Sequence, residues 1–183
     1  MDFLPHLLSG LMFVAFLVVW GSTNHYRLKS YLKLIGTSGK MRILFSLVLV
    51  AQLFVRTLPR LPESLQFKGM DFVGVVLAFL GMALAVWAKL TMKKSWGAPG
   101  QHDPQMQPEL VTSGPFHFSR NPIYVGLFLF LIGFELGMES WLILAAVPVA
   151  VIINRAVMKE EKRLEEIFGE KYQENFRRVR RYL

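Results

Sequence analysis

Two polar motifs border strongly apolar segments and hold the residue types that could do chemistry. The first, GPFHFSRNPIY, covers residues 114–124, and the second, Lys159-Glu160-Glu161, begins 35 positions after Tyr124. Ionisable side chains at the edge of a membrane-spanning segment are costly, and most of them serve a function. An arginine, a helix N-terminus and a carboxylate together can bind a ligand that carries both signs of charge.

The first motif predicts the start of a helix at Pro122. A proline suits the first turn because the N–H that it lacks has no partner there, and Asn121 before it can act as the cap. The backbone N–H groups of residues 121–124 then form a positive helix end that can receive a carboxylate. The same Arg-Asn-Pro sequence would also serve to cap a helix and hold a lipid phosphate, so the motif alone leaves both interpretations open.

The second motif predicts a carboxylate on an apolar helical face. Residues at spacings of three and four lie on one side of a helix. That face then consists of Val157, Glu160, Leu164 and Ile167. An acidic group among apolar neighbours needs a partner, which marks Glu160 as the candidate functional carboxylate. The other acidic residues of KEEKRLEE, Glu161 included, fit a solvated face with favourable helical charge pairs.

The composition indicates a single membrane domain over residues 1–183. The chain is 53% hydrophobic, with a mean hydropathy of +0.38. It has no cysteine, which excludes disulfides, thiolate metal sites and a cysteine nucleophile. The net charge of +8 comes from basic residues between apolar runs, so membrane topology accounts for it and no nucleic-acid partner is expected. The 4 histidines have no metal-ligand spacing, and no metal site is predicted.

Hydropathy predicts an all-α integral membrane protein with about five transmembrane helices. The apolar segments lie near residues 7–22, 43–55, 72–90, 123–137 and 141–153. Only residues 137–140 separate the last two segments, so these should form a C-terminal antiparallel helical hairpin. Both polar motifs would then lie at the open end of this hairpin.

The loop charges predict an outside N-terminus and a cytoplasmic C-terminus. The loop after the first segment contains five basic residues and no acidic one, whereas the loop after the second is nearly balanced. This places residues 95–122 and the helix after the fifth segment on the cytoplasmic face. We therefore expect a multi-pass protein of a bacterial or archaeal inner membrane, with its site open to the cytoplasm. The arginines near the C-terminus are interpreted as contacts to anionic lipid.

Together with Leu164, Ile167-Phe168-Gly169 and Tyr172, the two motifs make the chain similar to the isoprenylcysteine carboxyl methyltransferase family, within the wider group that includes phospholipid methyltransferases. The resemblance covers roughly residues 101–182. Hydropathy assigns the N-terminal spans to residues 1–94, and the resemblance implies a cofactor-binding core over residues 95–183 and an enzyme that uses S-adenosylmethionine. The implied partners are the lipid bilayer and a lipid-like or prenylated methyl acceptor, such as the carboxylate of isoprenylcysteine.

The resemblance also assigns roles to individual residues. By position, the implied cofactor-binding residues are Gln101, Pro108, Glu109, Leu110, Val111, Phe116, Asn121, Pro122, Ile123, Tyr124 and Glu160. The candidate catalytic residues are Arg120, Glu160 and Arg155. Arg155 stands one position before the family's substrate arginine, where this chain has Ala156. The family also usually has histidine at the position of Asn121 and tyrosine at that of Phe116.

Three other functions stay open. They are a phospholipid N-methyltransferase, an NADPH enzyme similar to sterol reductases, which share an Arg-x-Pro-x-Tyr style motif, and a membrane scaffold without activity. The pair Glu160-Glu161 followed by Phe168-Gly169 favours a methyltransferase over a reductase. The sequence leaves open the methyl acceptor, its nucleophilic atom and the oligomeric state.

Overall fold

The computed structural model describes residues 3–22, 51–52, 60–95 and 109–182, and most of these are helical. The α-helices are α1 (Phe3–Ser22), α2 (Met70–Met92), α3 (Pro122–Gly137), α4 (Ala146–Phe168) and α5 (Glu170–Arg178). Within these ranges the extended pairings are two isolated bridges, Arg60 with Ser140 and Ser119 with Arg180. The all-α class is therefore confirmed for the described part of the chain.

Two helical segments are long and apolar enough to cross a membrane, namely Met70–Met92 and Trp141–Phe168. Two further apolar helices, Leu7–Trp20 and Pro122–Gly137, are shorter. The described helices thus coincide with four of the five predicted segments. The remaining segment, 43–55, lies largely outside the described residues, so a total of five spans stays a prediction.

Helices α2 and α3 pack backbone to backbone along a line of small residues. Gly74, Gly81 and Ala85 of α2 face Gly133 and Gly126 of α3 in antiparallel order. A Cβ atom added at Gly126 would lie 2.6 Å from the backbone nitrogen of Ala85, so no larger residue fits there. Small residues permit this close approach between helices in a membrane, where van der Waals packing drives association. Helix α2 therefore fixes α3, including the end that carries the first polar motif.

Phenylalanine rings join α1 to α3. Phe16 stacks on Phe130 with ring centroids 4.7 Å apart, and the centroids of Phe13 and Phe134 are 5.4 Å apart. Ala78 of α2 belongs to the same buried cluster. Aromatic pairs of this kind combine a large apolar area with a preferred geometry. Helices α1, α2 and α3 consequently share one core.

Helices α3 and α4 form the predicted antiparallel hairpin. Their connection runs through Ser140, whose hydroxyl oxygen accepts a hydrogen bond from the backbone N–H of Leu142 at 3.1 Å. At the opposite end, Asn121, immediately before α3, contacts Glu161 in the last part of α4. Helix α4 continues without a break to Phe168, as expected for the extended fifth segment. The two polar motifs therefore meet at the open end of the hairpin.

Candidate functional site

The centre of the site is the buried carboxylate of Glu161, whose side chain is 7% exposed. Its Oε1 atom accepts a hydrogen bond from Asn121 Nδ2 at 3.0 Å and lies 3.2 Å from Arg120 Nη2. Its Oε2 atom lies 3.0 Å from both Nε and Nη2 of Arg181. A carboxylate can remain charged when buried only if it is paired and hydrogen-bonded. Three side chains from two remote segments satisfy that requirement here.

The structure corrects the predicted orientation of the acidic pair. Glu161 is buried, whereas the side chain of Glu160 is 29% exposed and lies 3.4 Å from Arg163 in a pair on the same helix. Both follow the fully buried Val157, but a spacing of three turns a residue about 60° to one side and a spacing of four about 40° to the other. The apolar pattern therefore admits either residue on the inner face. Glu161 is the buried residue of the two because it contacts Asn121 and Arg181.

Arg120 is held on two sides. Its guanidinium carbon lies 3.8 Å from the centroid of the Phe176 ring, a cation–π contact, while Nη2 points to Glu161. The side chain is 6% exposed. Its Nε and Nη1 atoms are buried and have no hydrogen-bond partner among the described residues. Arg120 thus keeps two desolvated donors that a ligand could use.

Next to Arg120 lies a small cleft of about 40 Å³. Its walls are formed by Met92, Glu109, Leu110, Val111, Phe116, Arg120, Leu164, Tyr172 and Asn175. Most of these side chains are apolar, and the polar groups are confined to a few positions, as is usual in ligand sites. The described walls enclose a space for a small polar fragment and not for a whole nucleoside cofactor. Glu109 directly follows residues 96–108, which lie outside the described part of the chain.

Tyr172 is a second wall residue of this cleft that has an unpaired buried donor. The residue is 2% exposed, and its hydroxyl has no hydrogen-bond partner in the described ranges. Burial, with a smaller contribution from the negative charge of Glu161, raises the pKa of Tyr172 to about 12. The phenol therefore stays protonated at neutral pH and can donate a hydrogen bond.

The chain terminus folds back over the first motif. The backbone N–H of Arg120 donates to the carbonyl oxygen of Arg180 at 2.9 Å, and Asn121 Nδ2 donates to the carbonyl oxygen of Arg181 at 3.2 Å. The hydroxyl of Tyr182 donates to Asn154 Oδ1 on α4 at 2.6 Å. Sequence reasoning missed this contact, since it interpreted the terminal arginines as contacts to lipid. No local pattern distinguishes Arg181 from its exposed neighbours.

The predicted cofactor residues other than Glu160 fall into three groups. Glu109, Leu110, Val111 and Phe116 line the cleft, together with the candidate catalytic residue Arg120. Asn121 lies in the Glu161 network, Pro122 and Ile123 are buried at the start of α3, and Tyr124 is half-buried. Gln101 and Pro108 lie outside the described residues.

Two of the predicted roles need comment. The side chain of Asn121 makes no capping hydrogen bond to α3, so the expectation of a side-chain cap is wrong. Its Nδ2 atom instead donates to Glu161 and to the backbone carbonyl oxygen of Arg181. Arg155 is exposed on α4 and makes no hydrogen bond or ion pair with the described residues. The structure therefore does not bring Arg155 into the cleft, and its contact with a substrate stays a prediction.

Comparison with known proteins identifies the family of the chain. A family model described as phospholipid methyltransferase matches residues 70–171. The chain is also 28% identical over 120 residues to the protein-S-isoprenylcysteine O-methyltransferase of Xenopus laevis. That match covers 64% of this chain and 42% of the relative, so the chain spans less than half of the relative's length. Because the family model covers more than half of the chain, from α2 to the start of α5, the chain belongs to the phospholipid methyltransferase family.

Proposed function

We propose that this protein is an S-adenosylmethionine-dependent membrane methyltransferase that acts on a lipid-like acceptor. Family membership supports the reaction class. The single observation that carries the proposal is a mostly apolar cleft lined by Arg120 and Tyr172, two residues whose buried donors have no partner among the described residues. Arg120 Nε, Arg120 Nη1 and the Tyr172 hydroxyl are three buried donors without partners in the described residues, and an anionic group would satisfy them.

The cleft residues supply groups that suit the amino-acid end of the proposed cofactor and part of its less polar remainder. Its amino-acid end carries a carboxylate, for which Arg120 Nε and Nη1 and the Tyr172 hydroxyl are suitable donors. Its ammonium needs acceptors, and Glu109 on the cleft wall is one. The apolar side chains of Phe116 and Leu164 suit its less polar part. When bound, the cofactor supplies an electrophilic methyl group on a sulfonium.

We assign Glu160 as a further acceptor for the ammonium or ribose of the cofactor. Both carboxylate oxygens of Glu161 already accept hydrogen bonds within the protein. Glu160 is partly exposed and forms only a salt bridge with Arg163 on the same helix. Glu160 lies one helical turn before Leu164, which lines the cleft. The two carboxylates of the acidic pair therefore have different proposed roles, with Glu161 holding the fold and Glu160 contacting the ligand.

The chain's contribution to the reaction is binding, orientation and exclusion of water. Transfer of a methyl group depends mainly on aligning the acceptor with the sulfonium in a dry site. Arg120 and Tyr172 would fix the cofactor at one end, and the buried wall of Phe116 would exclude water. A carboxylate acceptor needs no general base, whereas an amine must arrive unprotonated.

The acceptor is proposed to reach the site from the bilayer. Val147, Val151 and Ile152 are exposed on α4, and Arg155 follows them at the end of this apolar surface. An exposed apolar helix surface suits contact with lipid, and we propose that Arg155 meets the polar headgroup there. The family name points to a phospholipid amine and the relative's name to an isoprenylcysteine carboxylate.

In both cases we propose a multi-pass protein of a bacterial or archaeal inner membrane, with the cleft open to the cytoplasm.

A calorimetric titration of the detergent-solubilised protein tests this proposal. S-adenosylhomocysteine, the product form of the cofactor, should bind, and NADPH should not. Binding of NADPH alone would instead support an enzyme similar to sterol reductases. Binding of neither compound would favour a scaffold without activity and would contradict the proposal.

A further inference from the structure

The last residues of the chain form a strap across the candidate site. We define the C-terminal strap as residues 176–182. Its contacts include Phe176 under the Arg120 guanidinium, the carbonyl oxygen of Arg180 with the backbone N–H of Arg120, and the hydroxyl of Tyr182 with Asn154. The carbonyl oxygen of Arg181 also accepts a hydrogen bond from Asn121 Nδ2. These contacts place the side chain of Arg181 on the outer edge of the buried network.

Two nitrogens of Arg181 contact the same carboxylate oxygen of Glu161. Both Nε and Nη2 of Arg181 lie 3.0 Å from Oε2, while Oε1 receives Asn121 and Arg120. Arg181 is 37% exposed, and Glu161 is 7% exposed. The C-terminal strap therefore covers Oε2 of Glu161 through Arg181, while Oε1 of the same carboxylate contacts the cleft residue Arg120.

Because Arg181 and Arg120 contact different oxygens of Glu161, Arg120 does not form a bidentate salt bridge with this carboxylate. Arginine and carboxylate groups prefer to join through two parallel hydrogen bonds. Because Arg181 fills Oε2, Arg120 uses only Nη2 on Glu161, and its Nε and Nη1 are left unpaired in the described residues. Without Arg181, Oε2 would be free to accept a second nitrogen of Arg120, which would use a donor that is now unpaired.

From this geometry we infer that Arg181 is a positioning residue, which acts through Glu161 to keep the Arg120 donors available to the carboxylate of a ligand in the cleft. The inference rests on the proposed function. It adds that the affinity for the amino-acid end of the cofactor depends on a side chain of the C-terminal strap.

The test compares two ligands and three variants of the full-length protein in detergent. S-adenosylhomocysteine has the amino-acid carboxylate, and methylthioadenosine shares the nucleoside and thioether but lacks the amino-acid group. The variants are Arg181→Gln, Arg181→Lys and, as the matched control, Arg178→Gln. Arg178 is an exposed arginine near the same end of the chain and contacts none of the described site residues. Calorimetry gives each dissociation constant, and thermal unfolding is followed in parallel.

We expect Arg181→Gln to weaken S-adenosylhomocysteine binding about tenfold, the size expected for loss of one charge-assisted contact. Binding of methylthioadenosine should change by less than about twofold. Arg181→Lys keeps the charge near Oε2 and should regain most of the affinity, and Arg178→Gln should behave as the parent. If Arg181→Gln does not fold, Arg181→Lys provides the test. This variant should bind S-adenosylhomocysteine about threefold more weakly than the parent and should bind methylthioadenosine as the parent does.

Three outcomes would overturn the account. Unchanged S-adenosylhomocysteine binding in both Arg181 variants would remove the positioning role. Equal weakening of both ligands would show a general structural role. If the parent itself fails to bind S-adenosylhomocysteine, the proposed function fails first, which separates the two possibilities.

Discussion

Glu161 on α4 accepts a hydrogen bond of 3.0 Å from Asn121, the residue before α3, although 40 positions separate them in the sequence. The same carboxylate also holds Arg120 and Arg181. One buried group therefore joins both polar motifs and the chain terminus. Its neighbour Glu160 is left partly exposed, one turn from the cleft.

Replacing Glu161 should destabilise the protein far more than replacing Glu160. Glu161→Gln would leave Arg120 buried without a counter-charge, at a cost of about 3 kcal/mol or more. Glu160→Gln breaks only a partly exposed pair within one helix and should cost less than about 0.5 kcal/mol. Thermal unfolding in detergent measures both. Equal stability of the two variants would contradict the burial assigned to Glu161.

The contact between α2 and α3 should be intolerant of larger residues. Ala85 is fully buried against Gly126, whereas Ala83, two positions earlier on α2, is exposed. Ala85→Leu should therefore lower the free energy of unfolding by about 3 kcal/mol or prevent folding, because backbone atoms cannot move aside. Ala83→Leu is the matched control and should fold normally. Yield and thermal unfolding of the two variants give the comparison, and a stable Ala85→Leu protein would exclude this packing.

The Tyr172 hydroxyl should matter for ligand binding but not for folding at neutral pH. It is buried without a partner in the described residues, so Tyr172→Phe should be neutral or slightly stabilising, and should weaken S-adenosylhomocysteine binding by roughly five- to tenfold. Lower stability with unchanged affinity would contradict this role.

The raised pKa of Tyr172 predicts that the stability of the folded protein depends on pH. The pKa of Tyr172 is raised in the folded protein from 10.0 to about 12. Its contribution to stability is therefore complete below pH 10 and is lost as the pH rises toward 12. The parent should lose stability over this interval more steeply than Tyr172→Phe, as measured by chemical unfolding at several pH values. Parallel curves for the two proteins would show that the phenol is not held neutral.

Much of the scaffold could be predicted from sequence because apolar runs and short turns are local signals. The hairpin of α3 and α4 and the long fifth segment were both expected. The choice between Glu160 and Glu161 could not be predicted, because both lie within one turn of the buried Val157. Asn121 was expected to cap α3, yet its partners are Glu161 and the terminal backbone. Those partners are remote in sequence, so only the tertiary fold selects them.

The loop charges predict which side of the membrane each loop faces. Ser64 and Ser113 are both exposed in the structure, and Ser38 lies outside the described residues. A single cysteine at Ser64 should react with an impermeant maleimide in intact cells, whereas cysteines at Ser38 and Ser113 should react only after the cells are opened. Labelling at Ser38 from outside would reverse the proposed topology.

The affinities of S-adenosylhomocysteine for the parent, Glu160→Gln and Glu166→Gln test whether Glu160 contacts the cofactor. Glu166 is an exposed carboxylate on the same helix and serves as the control. Loss of a charged hydrogen-bond partner should weaken binding to Glu160→Gln roughly ten- to hundredfold, with little change for Glu166→Gln. Equally tight binding by all three folded proteins would contradict the assignment of this site.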